Sequence, residues 1–137
     1  FGVTNHKGLY QISTMTSVVS QIKIINKGEF VGYGMNYCSK ERVKIGIIPF
    51  GYADGIYEKK NSDNYYVFIK NNKYKVIGDI SMDSLAVNLE NSKIDEGDKV
   101  ILFDSNYTIK EIAKSCNTSE YEMLSKLNRR IKREYYS

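Results

Sequence analysis

The chain has 137 residues, a formal net charge of +4, and 42% hydrophobic and 12% aromatic residues. That length makes one domain able to bury roughly two-thirds of its unfolded surface, so no disulfide staples are needed. No apolar run approaches a membrane span, and Phe1-Gly2-Val3-Thr4-Asn5-His6 shows no charged-then-apolar targeting pattern, which leaves the expectation of a cytoplasmic protein with Cys38 and Cys116 as free thiols.

Residues 1–14 show no clear period and read as a connector, with His6, the only histidine, a linker residue. Without an initiator Met, Phe1 reads as an internal cut with more chain upstream. Val18 to Ile25 then alternates apolar with polar, the period of a strand with one wet face, and Asn26-Lys27-Gly28-Glu29 turns the chain. Next comes Val31-Gly32-Tyr33-Gly34, where two glycines permit close backbone approach or positive φ and present the Tyr33 phenol. Taken alone, this stretch reads first as a structural tyrosine in a turn.

Val43 to Ile48 reads as a strand stopped by Pro49, which cannot donate to a sheet ladder. Gly51-Tyr52-Ala53-Asp54-Gly55 frames a second tyrosine with glycines. Tyr65 to Ile69 and Tyr74 to Ile77 flank Asn71-Asn72 and predict a hairpin. Ile80 to Met82, Leu85 to Leu89 and, after the Asp95-Glu96-Gly97-Asp98 turn, Lys99 to Phe103 add further strands. Twelve tyrosines, five phenylalanines and a single proline suit such half-buried pleated surfaces. The expected fold is mainly β, an antiparallel barrel or sandwich with one or two short helices near the C-terminus.

Those helices follow from a change of period. Thr108-Ile109-Lys110-Glu111 matches a capping box, and Ile109, Ile112, Ala113 and Cys116 fall on one helical face. Ser119-Glu120-Tyr121-Glu122 offers a second box, with Leu124 and Leu127 on its apolar side and Tyr121 in the first turn, where free N–H groups attract anions. A final strand is expected around Arg130 to Tyr136. Lys126 to Arg133 carries much of the net positive charge and reads as a solvated face or a phosphate-meeting tail.

Taken in order, Val18-Val19-Ser20, Val31 to Gly34, Pro49 to Gly55, Gly78 to Asp83 and Tyr121-Glu122 form a set that resembles the C-terminal domain of alanine racemase. The resemblance covers residues 15–137, with residues 1–14 as the connector from a missing N-terminal (β/α)8 barrel. It implies a pyridoxal 5'-phosphate (PLP) enzyme, a homodimer interconverting L- and D-alanine and so supplying D-alanine for peptidoglycan. PLP would be attached to a lysine of the missing barrel, and this chain alone would be inactive. Inverting the substrate centre requires one base on each face. The resemblance assigns one to that lysine and the other to Tyr33, acting in the partner subunit's site. A phenol of ordinary pKa about 10 needs cationic neighbours for that role, and nothing adjacent in sequence supplies one. The resemblance further implies that the Met82 backbone N–H binds the substrate carboxylate, that Tyr52 and Asp83 line the substrate side and entrance, and that Tyr121 holds the PLP phosphate. No metal site is implied.

Three positions depart from the family's usual pattern. Gly-Arg becomes Gly78-Asp79, the Gln after the Met-Asp pair becomes Ser84, and the terminal Arg-x-Pro-Arg becomes Arg130-Ile131-Lys132-Arg133. They leave substrate preference open between alanine, serine and broader specificity. Two other functions fit the composition: a basic, tyrosine-rich β-barrel binding single-stranded nucleic acid, and an interaction module that kept the fold without the chemistry.

Overall fold

The computed structural model describes residues 10–55 and 65–136. The readings made for Phe1, His6 and most of the connector lie outside them. Nine strands and two short helices follow one another along the described chain. They are β1 (Met15–Val18), β2 (Gln21–Ile25), β3 (Phe30–Val31), β4 (Tyr37–Cys38), β5 (Val43–Ile48), β6 (Tyr66–Ile69), β7 (Asn72–Ile77), β8 (Leu85–Glu90) and β9 (Lys99–Phe103), then α1 (Ile109–Ser115) and α2 (Glu120–Lys126).

Seven strands form one antiparallel sheet in the order β1-β9-β6-β7-β8-β5-β2. Its edge strands β1 and β2 are separated in sequence only by Val19 and Ser20. The Val19 N–H donates to the Asp98 carbonyl at 2.9 Å and the Ser20 N–H to the Ile47 carbonyl at 2.8 Å. One extended segment therefore leaves one edge and joins the other, so the sheet closes on itself. The opposite corner is β7, whose residues 72–75 pair with β6 and whose Val76 and Ile77 pair with β8. The single expected strand over Val18 to Ile25 is thus corrected to two. Alternation ran through Val19-Ser20 because the backbone stays extended there while its partner changes.

Alternation along β5 assigns its two faces. Gly46 and Ile48 point into the barrel, where a Cβ on Gly46 would lie 3.1 Å from the Leu89 side chain. Val43 and Ile45 point outward and join Val31, Ile77 and Ala86 in a second, smaller apolar cluster. The interior cluster is larger and includes Val67, Ile69, Val87, Leu89, Val100 and Leu102, together with Tyr65, whose phenol burial pushes well above its usual pKa. Each such side chain contributes roughly 1.5–3 kcal/mol by leaving water.

The hairpin between β6 and β7 turns at Lys70 and Asn71, both at positive φ (49° and 64°), as a two-residue turn of the mirror-image type requires. The turn lies one residue earlier than expected, and Asn72 opens β7. Gln11 is tied down, its side-chain amide donating to the Asp104 carbonyl at 2.7 Å and accepting from the Ile109 N–H at 2.9 Å. It thereby satisfies a free N–H of the first turn of α1. Thr108 and Glu111 form the expected capping box, and Ile109, Ile112, Ala113 and Cys116 are buried. Ser119 caps α2, whose Met123 is buried. Neither cysteine is in a disulfide.

Two expected strands are corrected to turns. At Ile80 to Met82 the Ser81 hydroxyl accepts from the Ser84 N–H at 3.1 Å and donates to the Ser84 carbonyl at 3.0 Å, so a serine-based turn replaces a ladder. Arg130 to Tyr136 forms no strand. It begins in a turn in which the Arg130 N–H donates to Asn128 Oδ1 at 3.0 Å, and the Arg130 side chain is held elsewhere. No helix among the described residues is long and apolar enough to cross a membrane.

Candidate active site

Three loops carry the motif residues, and close backbone contacts bring them to one region. The first is the tip of the β3–β4 ribbon. Phe30 pairs with Cys38 and Val31 with Tyr37, while Val31 packs on the outward face of β5. With the ribbon's base anchored by apolar burial, its tip projects, and Tyr33 is 93% exposed. Gly32 takes φ +87°, a region that favours glycine, and a Cβ there would also lie 2.6 Å from the Asp79 backbone nitrogen. Asn36 Nδ2 donates to Asp79 Oδ2 at 2.6 Å. The Tyr33 loop is therefore seated on Gly78-Asp79.

The second loop is a single 3-10 turn over Tyr52–Asp54. The Tyr52 N–H donates to the Ser81 carbonyl and the Ala53 N–H to the Met82 carbonyl, both at 3.0 Å. This turn is thus bound along its backbone to the third loop, Ser81 to Ser84. Among the described residues the Met82 N–H has no hydrogen-bond acceptor, and the residue is 54% exposed. Tyr52 is exposed as well.

Arg130, which the sequence reading placed in the basic tail, in the terminal motif and in an expected strand but gave no role at the site, locks the second and third loops together. Arg130 Nε donates to Asp54 Oδ1 at 2.6 Å and Nη2 to Asp83 Oδ1 at 2.7 Å. Asp54 is nearly buried, and its other oxygen accepts from the Gly51 N–H at 3.0 Å. Burial pushes the Asp54 carboxyl up, but the Arg130 guanidinium and the Gly51 N–H outweigh it and hold the group below the usual carboxylate range. The hydrogen bonds to Asp54 and then Asp83 raise Arg130 in turn. The available signal was an Asp inside the second motif and an Arg near the chain's end, which lie 76 positions apart. No periodicity links such a pair.

Tyr121 sits in the first turn of α2 and is 58% exposed. The other end of α2 meets the Tyr52 loop, where a Cβ on Gly55 would lie 2.7 Å from the Lys126 carbonyl oxygen and Asn128 Nδ2 donates to the Ala53 carbonyl at 2.9 Å. Tyr52, Met82 and Asp83 are thus held together directly, and Tyr33 is linked to them through Asp79. Tyr121 joins them only through its helix. Among the described residues no hydrogen bond or ion pair connects it to the other four.

The arrangement presents two phenols, a free backbone donor and a carboxylate from loops fixed by buried or paired groups. It can bind and orient a small polar molecule and exchange a proton with it. Tyr33, Met82 and Tyr121 are all exposed among the described residues.

Residues 12–135 match the family described as alanine racemase, C-terminal domain. An alanine racemase of Vibrio atlanticus is 35% identical over 129 residues, 93% of this chain and 36% of the relative. The crystal structure of a biosynthetic alanine racemase from Pseudomonas aeruginosa superposes with a TM-score of 0.88 at 30% identity, covering 95% of this chain and 36% of that one. That of an alanine racemase from Bartonella henselae with covalently bound pyridoxal phosphate gives 0.84 at 29% identity, covering 90% and 34%. The chain therefore spans about a third of the length of the relatives it matches.

Proposed function

Because the chain belongs to the alanine racemase C-terminal domain family, we propose that it supplies one catalytic base and part of the substrate site of a PLP-dependent alanine racemase. A barrel domain carrying the PLP lysine completes the enzyme, which is a cytoplasmic homodimer providing D-alanine for peptidoglycan. The observation that carries this reading is the joining of three motif loops by Asp79, Arg130 and the Gly51–Met82 backbone contact, with Tyr33 and Met82 left facing out. Such outward placement suits a site closed by another domain or subunit.

The residues present fit a cofactor held largely by another domain. Tyr121 is exposed in the first turn of α2, as contact with a phosphate outside this domain requires. When bound, PLP supplies an electron sink that acidifies the Cα–H of an amino acid. Tyr33 serves one face of that carbon: its phenolate oxygen takes the proton from one enantiomer, and in the reverse direction its hydroxyl returns a proton to the same face and re-forms that enantiomer. The opposite face is served by the base outside this chain. The Met82 N–H holds the substrate carboxylate, and Tyr52 and Asp83 line the approach.

The test is Tyr33→Phe in the full-length racemase, with α-proton exchange followed separately from L- and D-alanine. Exchange from one enantiomer should fall far more than from the other; small, equal effects would remove Tyr33 from the chemistry. The 137-residue chain alone should not interconvert the enantiomers.

Two observations count against a nucleic-acid-binding barrel. In the basic tail, Arg130 is committed to Asp54 and Asp83, and Lys132 pairs with Glu134. Salt-dependent binding of single-stranded oligonucleotide by the chain would reverse this preference.

A further inference from the structure

Asp79 touches the Tyr33 loop at both ends. On the entry side, a Cβ on Gly32 would lie 2.6 Å from the Asp79 nitrogen and 3.0 Å from its carbonyl oxygen. The contact is reciprocal, since a Cβ on Gly78 would lie 2.5 Å from the Val31 carbonyl oxygen. Two backbones are therefore stacked with no side chain between them, which requires glycine on each side. On the exit side, the Asp79 carboxylate accepts the Asn36 amide at 2.6 Å. Between these points a Cβ on Gly34 would overlap Asp79 Oδ2. Met35 adopts φ 53°, a conformation uncommon outside glycine that persists where its surroundings impose it.

We propose that Asp79 is a positioning residue for Tyr33: by gripping Gly32 with its backbone and Asn36 with its carboxylate, it fixes the direction of the phenol relative to the Met82 loop. This rests on Tyr33 being the base of the proposed racemase. The chain from Asp79 runs through Ile80, which is buried, to Ser81 and Met82, so one short anchored segment sets both the phenol's loop and the proposed carboxylate donor. A projecting ribbon tip held only at its base would sample many orientations. Proton transfer loses rate steeply when the donor and acceptor are misplaced by about 1 Å.

The pin is tested first in the 137-residue chain, by backbone order parameters of Gly34 and Met35. In the parent they should lie near the rigid value of about 0.85, and in Asp79→Ala, Asn36→Ala and the double variant they should fall alike below about 0.6. Asp79→Asn, whose side-chain carbonyl still accepts from Asn36, should stay near the parent. Unchanged order in the single variants, or a double variant far looser than either, would overturn the pin.

Its role is tested in the full-length racemase. Asp79→Ala should slow α-proton exchange at least about 10-fold more on the face served by Tyr33 than on the other, lowering kcat with little change in KM, and Asp79→Asn should restore most of the rate. Equal slowing of both faces by Asp79→Ala, while Tyr33→Phe remains selective, overturns the positioning role alone. If Tyr33→Phe is itself unselective, Tyr33 is not the base and the racemase reading of this loop falls with the proposal.

Discussion

Gly51 lies so closely against Met82 that a Cβ on Gly51 would overlap the Met82 carbonyl oxygen. The Ser81 carbonyl oxygen is equally close, and both obstacles are backbone atoms of a loop that Ser81 and Ser84 already fix. At φ −133° the backbone of Gly51 is open to any residue, so the demand for glycine is steric. Gly51→Ala must therefore separate the Tyr52 and Met82 loops. Unfolding in urea should show a loss of about 1–3 kcal/mol, typical of forcing a methyl group into packed structure.

Asp54 should give the chain part of its acid sensitivity. Its folded pKa lies below the unfolded value of about 3.9, so its contribution is complete above that value and is lost as pH falls through the folded pKa. Asp98 and Glu134 are lowered as well and act in the same direction. Asp54→Asn should cost about 1–3 kcal/mol near neutral pH, the usual consequence of weakening a nearly buried hydrogen-bonded group. It should also flatten, without abolishing, the fall in stability below about pH 4. Parallel stability curves for parent and variant would show that Asp54 is not a source of that fall.

Arg130 joins two loops through two carboxylates, a geometry that the forked guanidinium fits and a lysine ammonium does not. In the full-length racemase, Arg130→Lys should retain the bond to one carboxylate and lower kcat/KM less than Arg130→Ala does. For Arg130→Ala a loss of roughly 10-fold or more is expected, since misplacing substrate-side loops costs rate even when no reacting group is removed. Equal kinetics in both variants would show that the bridge does not act on the site.

Tyr121 tests the cofactor reading without measuring turnover. Loss of a hydrogen bond to a charged group is worth about 1.5–3 kcal/mol. Tyr121→Phe in the full-length protein should therefore weaken PLP retention by at least about 10-fold, read from the cofactor released on dialysis. Unchanged retention would leave Tyr121 as an exposed tyrosine of α2.

The two helices and most strands were legible because their signals are local. Val43–Ile48 and Lys99–Phe103 match their expected bounds, and the Thr108 capping box with its buried face is as read. The misreadings share a cause. Val18 to Ile25 alternates without interruption, yet the segment changes partner at Val19-Ser20, and alternation records which face a side chain takes but not which strand lies alongside. Arg130 to Tyr136 likewise has strand-like residues and no ladder, because composition records a propensity and not whether a partner strand lies alongside.

The sequence by itself determined the class of fold, the capped helices and the family, since period, turn chemistry and motif order all lie within short stretches. Only the tertiary structure decided how the motif loops meet. The bonds that join them link residues 43, 47 and 76 positions apart, through Asn36 and Asp79, Asp83 and Arg130, and Asp54 and Arg130. Such pairs have no local signature; they exist because the sheet closes and carries distant loops into reach of one another. Two of the three departures from the family pattern acquire their meaning there, since Ser84 closes the Met82 turn and Asp79 holds the loop that presents Tyr33, while Arg130, the retained first residue of the terminal motif, ties two loops.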